Sequence, residues 1–141
     1  GSIYELVIVE TKALEVEVVA DAAALKQGLA AEGRIALYGI YFDTGKAVVK
    51  PESEPTLVQV TKLLKDNPAL KLFVVGHTDS TATLEVNLKL SGDRAAAVVA
   101  ALGIDAGRLK AAGVGPYSPV ATNRDEAGRA KNRRVELVER P

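Results

Sequence analysis

The run Gly76-His77-Thr78-Asp79-Ser80-Thr81-Ala82-Thr83-Leu84-Glu85-Val86-Asn87-Leu88-Lys89-Leu90-Ser91-Gly92-Asp93-Arg94 decides how the chain folds. Ahead of it, Leu70 to Val75 is apolar and partly β-branched, a strand pattern, so residues 76–80 read as the loop leaving a strand end. Behind it, Leu84, Leu88, Ala95, Val98, Val99 and Leu102 recur at helical spacing and mark the apolar stripe of a long helix. Asp79 thus falls on a loop and Arg94 inside a helix, where Asn87, Leu90 and Arg94 share one face. A helix folded back on its strand would set a fixed carboxylate opposite a fixed guanidinium. That pair suits a ligand carrying an ammonium and a carboxylate on one carbon.

Working outward, the chain of 141 residues is long enough for one domain with a real core. It has no cysteine, so disulfides, thiol nucleophiles and Cys-type zinc sites are excluded, and its single histidine excludes a multi-histidine metal site. No cofactor is expected. Formal net charge is zero and aromatic residues are few, which argues against a nucleic-acid partner. Charge is uneven: from Lys89 onward ten basic side chains stand against six acidic, and before it eight against twelve. The half that carries Arg94 is therefore the one suited to an anionic partner. No apolar run approaches the roughly 20 residues of a spanning helix, and there is no signal-peptide pattern. Gly1-Ser2 reads as an added remnant, so the expectation is a natural chain longer at its N-terminus, with its export signal or lipid anchor there.

In order, residues 3–10 read as a strand, and residues 14–18 alternate strictly, with a hairpin across Thr11-Lys12. A helix over residues 13–32 is the competing reading. Asp21 is a candidate N-cap for an alanine-rich helix from Ala22 to Glu32, stopped by Gly33. Arg34 to Tyr41 is the next strand, burying Ile35, Leu37 and Tyr38, with Gly39 at a bulge or close approach. Phe42 to Gly45 is the turn that follows. Ser53 caps a helix with Glu54 and Pro55 in its first turn and Leu57, Val60, Leu63 and Leu64 in its stripe, ended by Asn67-Pro68. Residues 108–115 form a strand, Asn123 and Glu126 give a capping box for a helix through Lys131, and residues 133–138 form the last strand. Strands interleaved with helices imply an α+β fold, helices packed on a mixed sheet.

Four motifs in order carry a family resemblance: Tyr41-Phe42-Asp43-Thr44, Gly76-His77-Thr78-Asp79, Asn87 to Ala95, and Gly128 to Glu136. Over about residues 36 to 139 the chain resembles the OmpA-like peptidoglycan-binding domain. That module is shared by outer-membrane protein A C-terminal domains, peptidoglycan-associated lipoproteins and flagellar motor stator proteins. The resemblance implies a β-α-β-α-β sandwich at residues 34–141, with residues 1–33 as an extension of strands and a short helix. It implies a non-catalytic periplasmic module, associated with the outer membrane of a Gram-negative bacterium. The module would hold peptidoglycan through the diaminopimelate of the stem peptide, touch membrane only through an anchor, and leave oligomerisation open. By resemblance, Asp79 accepts the ligand's ammonium and Arg94 clamps its carboxylate. Asn87, Leu90 and the turn Phe42, Asp43 and Thr44 shape the pocket, with Arg133 in support.

Three departures from the family pattern stand out. Gly45 replaces a frequent Asn or Asp, removing a polar contact, and Ala82 replaces a frequent glycine, which strains the loop if φ must be positive there. The long helix also reaches Gly103 about a turn early, beyond the site.

Plainer readings sit beside each residue. Asp43 alone is a turn residue, and Asp79 alone a loop carboxylate capping the next helix. Arg94 alone is a solvated helix residue, and Arg129, Arg133 and Arg134 a basic patch. His77 reads as a packed or hydrogen-bonded strand-end residue rather than a catalytic one. Alternation sends Arg133 and Arg134 to opposite faces. The rival functions are an assembly module that kept the fold and lost the ligand, and a peptidoglycan hydrolase using Asp79 and His77.

Overall fold

A computed structural model describes residues 19–141. The strands and hairpin expected in residues 3–18 lie outside that range. The described part begins with helix α1, Ala22–Glu32. Asp21 caps it, its carboxylate accepting the Ala24 N–H at 2.8 Å, and Gly33 ends it in the left-handed region at φ 74°. Leu25 and Leu29 of α1 enter the common core.

Strand β1 is Arg34–Leu37, shorter than the eight residues expected. It stops because residues 38–39 turn away to pass over the second helix. A Cβ on Gly39 would lie 2.0 Å from Thr56 Oγ1, so the expected close approach is real. Tyr38, expected inside, is 53% exposed, its hydroxyl donating to the Lys131 carbonyl at 3.1 Å.

A short 3-10 turn, Pro51–Ser53, leads into helix α2, Glu54–Asp66. Ser53 does not cap it as expected. It is fully buried, and its hydroxyl accepts the Tyr41 N–H at 2.8 Å, which ties the chain after β1 to the start of α2. The stripe Leu57, Val60, Leu63 and Leu64 is buried as its spacing required.

Strand β2 is Leu72–His77, two residues later than expected, so His77 belongs to the strand and the loop begins at Thr78. Helix α3, Leu84–Leu102, returns across the sheet to strand β3, Leu109–Gly115. Its buried positions are Asn87, Ser91, Ala95, Val98 and Leu102. Leu84 lies on the same face a turn earlier yet is 41% exposed, so the expected stripe does not extend to the first turn. Gly103 ends the helix at φ 61°. Helix α4, Glu126–Asn132, is capped by Asp125, whose carboxylate accepts the Gly128 N–H at 2.7 Å; Asn123 is not the cap. Its side chain instead accepts from Asn132 Nδ2 at 2.9 Å, within the set of bonds by which Asn132 holds residues 120–123. Strand β4, Arg134–Glu139, closes the fold.

The sheet order is β1-β4-β2-β3, with β4 antiparallel to both neighbours and β2 parallel to β3. Leu72 and Val74 of β2 and Val135 and Leu137 of β4 join the helix stripes in one core. The result is the α+β architecture expected, helices on a four-stranded mixed sheet. One contact fixes where α3 sits: a Cβ on Gly76 would come within 2.1 Å of the Ser91 carbonyl oxygen. Ser91 Oγ also accepts the Gly115 N–H at 2.9 Å. The middle of α3 is thereby pressed onto the ends of β2 and β3, and of the residues on either side Asn87 is delivered to the Asp79 loop and Arg94 to the turn after β1.

Candidate functional site

Asp79 lies in the loop between β2 and α3 and is only 6% exposed. Its Oδ1 accepts from the Thr81 N–H at 3.0 Å and the Thr81 hydroxyl at 2.7 Å, and Oδ2 accepts from Arg133 Nη1 at 2.8 Å. Burial alone would push its pKa up; the Thr81 hydroxyl, Arg133 and the Thr81 N–H together outweigh burial and hold the carboxyl below its ordinary range. It is a buried, ionised carboxylate at neutral pH. It is not the cap of α3, which is Thr83, whose hydroxyl accepts the Val86 N–H at 3.3 Å.

Asn87 is buried, and its Nδ2 donates to the carbonyls of Asp79 and Ala82, each at 3.2 Å. It therefore fixes the loop that carries Asp79. Ala82 is unstrained, because no described residue other than glycine has positive φ.

Arg94 reaches from α3 to the turn after β1. Its Nε donates to the Lys46 carbonyl at 2.8 Å and Nη2 to the Asp43 carbonyl at 3.2 Å, with the guanidinium 4.9 Å from the Phe42 ring centre. Burial, then repulsion from Arg133, lowers its pKa, against the attraction of Asp79, so all three share one electrostatic environment. Among the described residues no carboxylate is within ion-pair distance of Arg94, whereas Arg133 has two. Arg133 Nη1 and Nη2 also meet Glu126 at 3.2 and 2.8 Å, and the hydrogen bonds from Glu126 and Asp79 raise its pKa. Arg133 is the C-cap of α4 and only Arg134 lies in β4, so strand alternation does not separate the two as expected. Arg134 is wholly buried, donating to Glu136 at 2.6 Å and to the Ser118 and Asn132 carbonyls.

The structure thus brings together Asp79, Asn87, Arg94, Arg133, Phe42 and the backbone of Asp43. The Asp43 carboxylate points elsewhere, to Lys50 at 3.1 Å. Thr44 is exposed at the tip of the turn, and Leu90 is half-buried on α3 between Asn87 and Arg94. Gly45 has φ 71°, and a Cβ there would meet nothing within 4 Å, so a side chain at 45 would stand clear of the protein. Glu126, Thr81 and the Lys46 carbonyl were not anticipated. Glu126 left a trace, since it precedes Arg133 by two helical turns on one face; carbonyl acceptors leave none.

Phe42, Arg94 and Arg133 border a cavity of about 30 Å³ whose floor includes Gly76, His77 and Arg134. A roomier groove of about 500 Å³ opens at the opposite end, between Lys26, Asp66, Pro68 and Arg140. None of its charged groups is buried, so it lacks the fixed, desolvated charges of the Asp79 end.

The chain is similar to known proteins in both sequence and fold. It is 41% identical over 105 residues to the probable lipoprotein YiaD of Escherichia coli, covering 72% of this chain and 48% of that protein. It thus spans about half the length of that relative. Its fold matches the crystal structure of the peptidoglycan-associated lipoprotein from Burkholderia pseudomallei with TM-score 0.65 and 36% identity, covering 72% of this chain and 88% of that one. It also matches the cell wall anchor of the T6SS from Pseudomonas aeruginosa with TM-score 0.63 and 32% identity, covering 83% and 94%. The OmpA family matches residues 41–133, from the turn that Arg94 binds to the arginine that Asp79 binds, and the chain belongs to that family.

Proposed function

We propose that the domain binds peptidoglycan non-covalently by clamping an amino-acid zwitterion of the stem peptide, the free end of diaminopimelate. The observation that carries this reading is the pair itself: a buried carboxylate held ionised at Asp79, beside a guanidinium at Arg94 whose hydrogen-bond partners among the described residues are carbonyls only. An ammonium finds its counter-charge at Asp79, a carboxylate at Arg94. Relatives named as a peptidoglycan-associated lipoprotein and a cell wall anchor support the ligand class and a place in the periplasm at the cell envelope. The binding is without turnover. Ser91 donates to the Leu88 carbonyl and accepts from Gly115, and among the described residues no serine is bonded to His77, so no serine and histidine are paired there.

Truncating one partner of a desolvated charge pair costs on the order of 2–5 kcal/mol, so Asp79→Ala and Arg94→Ala should each lose roughly 30-fold or more in affinity. Calorimetric titration with diaminopimelate checks this. Binding at wild-type strength by either folded variant contradicts the clamp and favours an assembly module that kept only the fold.

A further inference from the structure

The clamp leaves one buried polar group unused. His77 is 7% exposed, and neither Nδ1 nor Nε2 has a hydrogen-bond partner among the described residues. Of the two expected states of this strand-end histidine, packed or hydrogen-bonded, it is the packed one. Its charged neighbours across the sheet are Arg134 and Glu136 on β4 and Arg34 on β1, while Arg94 and Arg133 share its cavity. Glu136 comes only to 4.0 Å of Nε2, outside hydrogen-bond reach, and its Oε2 already accepts from Arg134. Burial, then the charge of Arg134, outweighs the pull of Glu136 and lowers the pKa of His77 to about 4. The ring at neutral pH is therefore neutral, with one N–H to donate and one bare nitrogen.

The cavity beside it has room for one oxygen-sized group, at about 30 Å³. Its walls join the imidazole that lacks a partner to Arg94, the guanidinium that lacks an anion. Arg133 and Arg134 on the same walls make the space favourable for negative charge and hostile to an ammonium.

We propose that His77 is a ligand-contacting, specificity-determining residue, whose imidazole N–H donates to one oxygen of the ligand carboxylate that Arg94 holds. This rests on the zwitterion reading and deepens it. Arg94 supplies the charge and His77 a directional donor, so a ligand without an acceptor oxygen at that end leaves both unmet.

The chain contains a single histidine, so the imidazole ¹⁵N spectrum reports one ring. In wild-type protein at pH 7, meso-diaminopimelate should shift the His77 ring nitrogens together with the Asp79 to Thr81 backbone amides, and Nα-acetyl-L-lysine amide, which offers the far ammonium and no carboxylate, should leave the ring unmoved. If the amides shift and the ring does not, the His77 assignment is overturned and the clamp stands. An equal ring shift with the lysine amide overturns the carboxylate as the contacting group. If neither ring nor amides respond to diaminopimelate, the clamp itself fails. His77→Phe keeps the ring and removes both nitrogens; it should bind roughly fivefold more weakly at an unchanged or higher melting temperature. Wild-type affinity in that variant overturns the proposal, and should it not fold, the wild-type spectra decide.

Discussion

Two buried ionisable side chains lie one strand end apart and are driven in opposite directions. Asp79 keeps its charge because Thr81 and Arg133 bond the ionised form, whereas burial and then the charge of Arg134 strip His77 of its own. The histidine therefore sets an acid sensitivity. Its pKa falls from 6.5 to about 4 on folding, so as pH drops below 6.5 the unfolded chain takes up a proton that the native state refuses. Stability declines across that window and levels off below about pH 4, a loss of about 3 kcal/mol at full extent. The carboxylates Asp79 and Glu136, with lowered pKa values, add their own loss as pH falls further, through the acid range. Urea unfolding midpoints at pH 7 and pH 4.5 should show a marked fall for wild type and a flatter profile for His77→Phe. Equal slopes for the two would remove His77 as the cause.

Helix α3 is the element on which the site depends, and its placement is a backbone contact. Gly76→Ala would drive a methyl into the Ser91 carbonyl, which has no side-chain freedom to retreat, so α3 must shift off β2. A destabilisation of about 1–3 kcal/mol is expected, with weaker ligand binding because Asn87 and Arg94 move with the helix. Thr83→Ala should cost about 1 kcal/mol through the lost cap and leave the middle of α3 seated. Denaturant midpoints and ligand titration on both variants separate seating from capping; similar affinity losses would contradict the distinction. Elements whose signals are local are legible in the sequence alone: the Asp21 cap, the Gly33 stop, the α2 stripe. Others depend on remote partners. β1 ends early because Gly39 must clear Thr56, Ser53 serves Tyr41 rather than its own helix, and the α4 cap falls to Asp125 because Asn132 already holds Asn123.

Across the whole molecule, the order β1-β4-β2-β3 brings the turn after β1, the loop after β2, the body of α3 and the α4–β4 junction to one end of the sheet. That convergence is why residues as distant in sequence as Phe42, Asp79, Arg94 and Arg133 form one site, and why family motifs pointed to them while periodicity alone did not. What sequence could not supply was the division of labour. Asn87 holds a loop, Arg94 holds a turn through carbonyls, and Arg133 is already shared between Asp79 and Glu126. The zwitterion clamp requires both charges of its ligand, so a stem peptide built on lysine, with no far carboxylate, should leave Arg94 unmatched. The most direct measurement is a pull-down of the wild-type domain on purified diaminopimelate-type and lysine-type cell walls, at equal mass and moderate salt. Strong retention on the first and wash-off from the second is the predicted result; equal retention on both would contradict it.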